Sequence, residues 1–108
     1  MKTNKVDRIF KAVADSKRRE ILKMIVVASV ALNITVIQNK FTESRQAITK
    51  HIKILENAGL VKTERKGRET FCYAKPEKLR VVLEWVKFYE KFWNEKLDSL
   101  DEFLKSDS

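Results

Sequence analysis

The chain holds only two glycines and one proline in 108 residues, at Gly59, Gly67 and Pro76, and this scarcity limits its folding more than any other feature. Glycine and proline are the strongest local breakers of regular structure, so long helices with few loops are expected. The breakers also mark where the pattern changes. Ahead of Gly59 runs SRQAITKHIKILENAG, with its own start and stop signals. Ser44 can cap the first turn with its hydroxyl, and Gly59 can take the left-handed backbone that ends a helix. At about 100° per residue, Arg45, Gln46, Thr49, Lys50, Lys53, Glu56 and Asn57 share one arc of roughly 140°. Ala47, Ile48, His51, Ile52, Ile54, Leu55 and Ala58 fill a separate arc of roughly 160°. Arg, Gln, Thr and Lys near a helix N-terminus are the side chains that reach base edges and phosphates in a major groove. A solvated surface helix would have the same outline, so the rest of the chain decides.

Upstream, Val6, Ile9, Phe10, Val13 and Ala14 recur at helical spacing and predict a first helix over 5–14. Asp15 or Ser16 can cap a second, SKRREILKMIVVA, with Ile21, Leu22, Ile25 and Ala28 inward. Its end falls near Ala28 to Ala31, where no glycine or proline marks it. Asn33 can cap a short third helix with Ile34, Ile37 and Phe41 inward, leaving Thr42-Glu43 as a tight connection to Ser44. Two helices joined by so short a turn, the second with a basic face, form a helix-turn-helix pattern.

After Gly59 the period becomes two. LVKTER and ETFCYA flank Lys66-Gly67 and predict a β-hairpin whose tip gathers Arg65, Lys66 and Arg68. A basic hairpin beside such a helix is a wing that can reach the neighbouring backbone or minor groove, although charged hairpin tips are common in any case. Pro76 suits the first turn of a long helix to about Leu104. Leu79, Val82, Val86, Tyr89, Trp93, Leu97, Leu100 and Leu104 form one stripe on it, broadened by Val81, Trp85, Phe88 and Phe92. A rod of roughly 42 Å exceeds what one small core can cover, so an interface with a second subunit is expected. Val6 and Phe10 of the first helix are expected to join it. A ligand pocket lined by Trp85 and Trp93 is the competing reading. Lys105 to Ser108 reads as a loose tail.

The net charge of +8 is concentrated. Residues 1–23 carry eight basic and three acidic groups, and residues 44–68 seven and two, whereas residues 76–108 carry six and eight. A charge gathered away from the terminal helix favours a polyanion against one side of the molecule, double-stranded DNA above all. One cysteine, Cys72, excludes an internal disulfide framework and reads as a small core residue. Together with the single His51, expected to pack with a backbone hydrogen-bond partner, it cannot supply a structural zinc site. Glu95, Asp98, Asp101 and Glu102 read as a solvated face beside Lys91 and Lys96. The longest apolar run, Met24 to Leu32, is nine residues against the roughly 20 of a membrane span. No secretory signal opens the chain, so a cytoplasmic protein is expected. No nucleophile elbow, phosphate loop or zinc-protease signature is present, and neither enzyme activity nor a cofactor or metal is expected.

Four stretches carry a resemblance to the ArsR/SmtB family of winged-helix repressors: IFKAVADSKRREIL, SRQAITKHIKILENAGLV, KGRETFCYA and LEWVKFYEKFWNEKLDSLDEFL. Together they cover nearly all of Val6 to Leu104. The resemblance implies a homodimer on operator DNA, with contacts at Ser44, Arg45, Gln46, Thr49 and Lys50 and a wing contact at Arg65, Lys66 and Arg68. Where metal-sensing members carry a cysteine pair on the third helix, this chain reads LNITVIQNKF, and its terminal helix has no histidine. The likeness is therefore to a branch without metal ligands. The usual turn glycine between the second and third helices is also missing.

The fold expected is mainly α with a small β-hairpin, a winged helix-turn-helix with a long C-terminal dimerisation helix. One domain, 1–108, would comprise a DNA-binding core over 5–75, its wing at 60–74, and a dimerisation helix over 76–104. DNA contacts are expected at Ser44, Arg45, Gln46, Thr49, Lys50, Lys53, Arg65, Lys66 and Arg68. The dimer is expected to use Val6, Phe10, Val82, Trp85, Val86, Tyr89, Phe92, Trp93, Leu97 and Leu100. A protein-interaction module, with the winged helix as scaffold and the aromatic helix as docking surface, is the alternative.

Overall fold

The computed structural model describes residues 5–106. The opening residues 1–4, whose polarity argued against a secretory signal, and residues 107–108 of the expected tail lie outside that range. The order is α1 (Lys5–Val13), α2 (Ser16–Ala28), β1 (Leu32–Asn33), α3 (Ile34–Gln38), α4 (Arg45–Asn57), β2 (Val61–Lys66), β3 (Glu69–Ala74) and α5 (Leu79–Ser106). A single 3₁₀ turn, Pro76–Lys78, leads into α5 with proline at its first position, where the missing N–H costs nothing. Lys105, expected in a loose tail, instead continues α5 and pairs with Asp101 at 3.2 Å.

Local capping chemistry starts three of the helices. Side chains of Asp15, Asn33 and Ser44 accept from the N–H groups of Arg18, Thr35 and Ala47. That bond from Arg18 is also the main reason the Asp15 carboxyl sits below its ordinary range. At the other end of α2, Ser29 holds φ at 59° and performs the left-handed stop that glycine usually performs. A non-glycine residue there costs about 1–2 kcal/mol, which explains why the boundary was poorly marked. Gly59, at φ 80°, ends α4 as expected.

The core gathers one face of each helix of the domain. Ile9 and Ala12 of α1, Ile21, Leu22 and Ile25 of α2, Ile34 and Ile37 of α3, and Ile48, Ile52 and Leu55 of α4 are all buried. Each full burial of an Ile or Leu side chain contributes roughly 1.5–3 kcal/mol, so α4 is held by its three buried residues more than by its intrinsic propensity. Leu60, Val61 and Cys72 close the core from the hairpin side.

Four expectations need correction. The sheet has three strands in the order β1-β3-β2, because Leu32 and Asn33 pair antiparallel with Cys72 and Phe71. The hairpin loop is Gly67-Arg68 rather than Lys66-Gly67, since Lys66 still pairs with Glu69. Gly67 at φ 65° in the first loop position fits a two-residue hairpin turn. The helix-turn-helix connection is longer than Thr42-Glu43: α3 stops at Gln38, and Phe41 reaches the core through a turn that reproduces helical spacing. Lys17 of α2 pins this connection, 3.3 Å from Glu43 and above the Phe41 ring. Finally, Ile54 is 37% exposed despite its place on the apolar arc, because α1 leaves a cleft beside it lined by Arg8, Lys11 and Asn57.

Cys72 is fully buried, and burial, reinforced by the Glu56 carboxylate, pushes its thiol up to about 11. At pH 8 almost no thiolate forms, so a thiol reagent should leave the folded protein unmodified and react fully once denaturant is added. Complete labelling of the native protein within minutes would contradict this placement.

Candidate nucleic-acid interface

The N-terminal half of α4 presents Arg45, Gln46, Thr49 and Lys50 to solvent, with Lys53 one turn further along. Ile48 and Ile52 anchor the opposite side at 0% and 2% exposure, so the helix cannot roll without losing its core. Ser44 is exposed at the start, its oxygen accepting from Ala47 at 3.1 Å and its hydroxyl proton left to donate. Arg65, Lys66 and Arg68 are exposed on the hairpin. The Arg65 Nε donates to the Gly67 carbonyl at 3.2 Å, which steadies the tip.

The two groups meet. A cleft of about 360 Å³ lies between α4 and the hairpin, and Arg45, Thr49, Lys53, Arg65 and Arg68 all line it. Gln46, Lys50 and Lys66 do not line the cleft. Among the described residues, none of Arg45, Lys53, Arg65 and Arg68 takes part in an ion pair. Four cations outside any ion pair, against the single Glu56 carboxylate in the same cleft, raise the local positive potential and suit a polyanion that can span helix and hairpin together.

Three residues that organise this surface were not apparent from the sequence. Glu56 lies on the polar arc of α4, yet it is half-buried, and its Oε2 accepts from both the N–H and the hydroxyl of Thr63, at 2.9 and 2.7 Å. A carboxylate in a cleft meant for a polyanion is electrostatically adverse, so its structural work is the reason for its presence: it ties the base of β2 to α4. Thr35 of α3 accepts from the Nη1 of Arg45 at 2.9 Å. Arg18 joins three helices, donating to the carbonyls of Lys11 and Ala12 and lying 3.4 Å from Nδ1 of His51. His51 is thus half-buried against a guanidinium, where a backbone partner was expected. The only sequence signal for these contacts was residue type, since each partner lies six or more positions away.

The long helix α5 projects from the rest, and the molecule measures 67 × 33 × 26 Å. Its first turns dock: Leu79, Val81 and Val82 are partly buried against the core. Beyond them it is bare. Val86, Tyr89, Phe92, Trp93, Leu97 and Leu100 are between 42% and 59% exposed. Val6 and Phe10 of α1 are half-buried, and the Phe10 and Trp85 rings meet edge to face at 5.2 Å, tying α1 to the start of the apolar stripe. Trp85 also meets the Tyr89 ring at a tilt of 50°, with centroids 4.6 Å apart. Trp85 and Trp93 are both at least half exposed, so the aromatic face is an open surface. Neither α5 nor any other helix among the described residues is long and apolar enough to cross a membrane.

No protein-family model matches the chain. Individual proteins do. The chain is 39% identical over 87 residues to an HTH-type transcriptional regulator of Bacillus subtilis (strain 168), spanning 75% of this chain and 95% of that one. An HTH-type transcriptional regulator of Methanocaldococcus jannaschii is 28% identical, over 79% of this chain and 94% of its own. Among solved structures, an ArsR-like transcriptional regulator from a Rhodococcus species superposes with a TM-score of 0.72 at 25% identity, covering 94% of this chain and 92% of that one. The homodimeric winged helix-turn-helix DNA-binding domain of a possible ArsR-family regulator from Mycobacterium bovis shares the fold, with a TM-score of 0.62 at 22% identity over 82% of each chain.

Proposed function

The chain belongs to the ArsR-type helix-turn-helix transcriptional regulators, and from that premise we propose that it acts as a homodimeric cytoplasmic repressor occupying a pseudo-palindromic operator. The observation that carries this reading is the cleft in which Arg45, Thr49 and Lys53 of α4 face Arg65 and Arg68 of the hairpin. Arg45, Gln46 and Thr49 read base edges. Ser44, Lys50 and Lys53 hold phosphates, and Arg65, Lys66 and Arg68 add sequence-independent grip on the backbone. The bare face of α5, with Phe10 and Val6 beside its start, meets the same face of a second subunit and buries apolar surface that one chain leaves in water. A twofold pair then sets its recognition helices about 34 Å apart, one duplex turn, for successive major grooves. Repression follows from covering a promoter, and no reaction is assigned to the protein.

Selection of binding sites from random duplex DNA, followed by titration over a series of salt concentrations, tests this reading. Enrichment of a site with two inverted halves is expected, with affinity that falls steeply between low and physiological salt. A pool without enriched sequence, or an affinity indifferent to salt, would overturn it.

A further inference from the structure

Arg45 does not stand free at the head of the recognition helix. Its Nη1 donates to the Thr35 hydroxyl at 2.9 Å, across the connection between α3 and α4. Thr35 is itself fixed. Its backbone N–H donates to the Asn33 side chain at 2.9 Å, its carbonyl accepts from Asn39 at 3.0 Å, and buried Ile34 and Ile37 flank it in α3. A short helix anchored in the core by Ile34 and Ile37 therefore holds one nitrogen of the Arg45 guanidinium at the surface. We infer that Thr35 is a specificity-determining positioning residue, one that sets the base preference of the protein by orienting Arg45. The inference rests on the reading of Arg45 as a base-contacting residue.

The chemistry of the guanidinium fits this division. Arginine carries five N–H donors in a planar fork, and Thr35 occupies one of them at Nη1. The opposite edge, Nε with Nη2, keeps the two parallel donors that match the O6 and N7 acceptors of guanine. Orienting the plane before DNA arrives removes part of the entropy that an arginine loses when it is immobilised at an interface. The benefit falls on sequences that present a guanine at that position. On any other sequence the tethered plane has no bidentate partner, while a free arginine could swing to a phosphate. Thr35 thus sharpens discrimination without adding a base contact of its own.

Thr35→Val removes the hydroxyl and keeps the β-branched shape, Thr35→Ser keeps the hydroxyl, and the experiment measures both against the duplex selected by the wild-type protein and against a scrambled duplex. Thr35→Val is expected to lower the ratio of specific to scrambled affinity about three- to tenfold, with specific binding weaker, scrambled binding equal or stronger, and thermal midpoint unchanged. Thr35→Ser should restore the ratio. In an Arg45→Ala background, Thr35→Val should have no further effect. A Thr35→Val protein with wild-type discrimination would overturn the inference, and so would an equal loss in both backgrounds, which would make Thr35 a direct DNA contact. Wild-type protein that selects no sequence would instead sink the base-reading role of Arg45, a result visible before any Thr35 variant is made.

Discussion

Replacing Tyr89 and Trp93 together by glutamate is expected to leave a folded monomer whose affinity for a two-half-site duplex is about two to four decades weaker than that of the wild-type protein. Both residues lie on α5 beyond the point where it leaves the core, at 42% and 59% exposure, so neither is needed to fold the chain that carries it. The apolar stripe they belong to continues through Leu97 and Leu100, both more than half exposed. A face of that length left in water favours association. Four carboxylates brought together in a twofold interface would oppose it through both desolvation and mutual repulsion. The loss of DNA affinity has a separate origin. Linking two recognition helices makes engagement of the second half-site intramolecular, and a monomer forfeits that advantage while keeping every contact within one half-site. Sedimentation at matched concentration reads the oligomeric state, circular dichroism checks that helix content survives, and titration with whole and half operators reads the coupling. A variant that stays dimeric would remove α5 from the interface. A wild-type protein that sediments as a monomer would favour the aromatic helix as a docking surface for a different partner.

Lys66→Ala with Arg68→Ala is expected to weaken every duplex alike, by about two to three decades at physiological salt, and to flatten the dependence of log affinity on log salt by about 3–4. The figure comes from counterion release: each neutralised phosphate contributes about 0.9 to the slope, and a dimer loses two cations from each wing. Neither residue takes part in an ion pair among the described residues, so folding is not expected to suffer. Arg68 sits in the hairpin loop itself and Lys66 in the last pair before it, so both project from the tip rather than supporting it. Sequence preference should remain as in the wild-type protein, since base reading is assigned to α4. A change of preferred sequence, or an unchanged salt slope, would show that the wing does not grip the backbone in the way proposed. In the cleft, the Glu56–Thr63 bonds give this prediction its geometry, because a wing free to swing from α4 could not hold its cations at a fixed distance from those of the helix.

Most of the helical framework was legible because the forces behind it are local. Asp15, Asn33 and Ser44 cap the residues two or three positions ahead of them, and the buried set Ile48, Ile52 and Leu55 recurs at helical spacing. The exposed basic face of α4 was legible for the same reason. Misjudged positions were those where a distant segment decides. Ile54 belongs to the apolar arc by periodicity, but no neighbour covers it fully. Glu56 belongs to the polar arc, but Thr63 turns it inward.

Periodicity, caps and the placement of three breakers in the chain were enough to determine which segments become helices, which face of each is apolar, and where the positive charge gathers. These are properties of neighbours along the chain, read at a spacing of two to four residues. Tertiary structure alone decided that Leu32 and Asn33 would join the hairpin as a third strand, that Thr35 would hold Arg45, that Arg18 would meet His51, and that Arg45 and Arg68 would line one cleft. Those pairings depend on how the buried faces stack against one another, and the period of a sequence carries no record of which distant surfaces come to rest side by side.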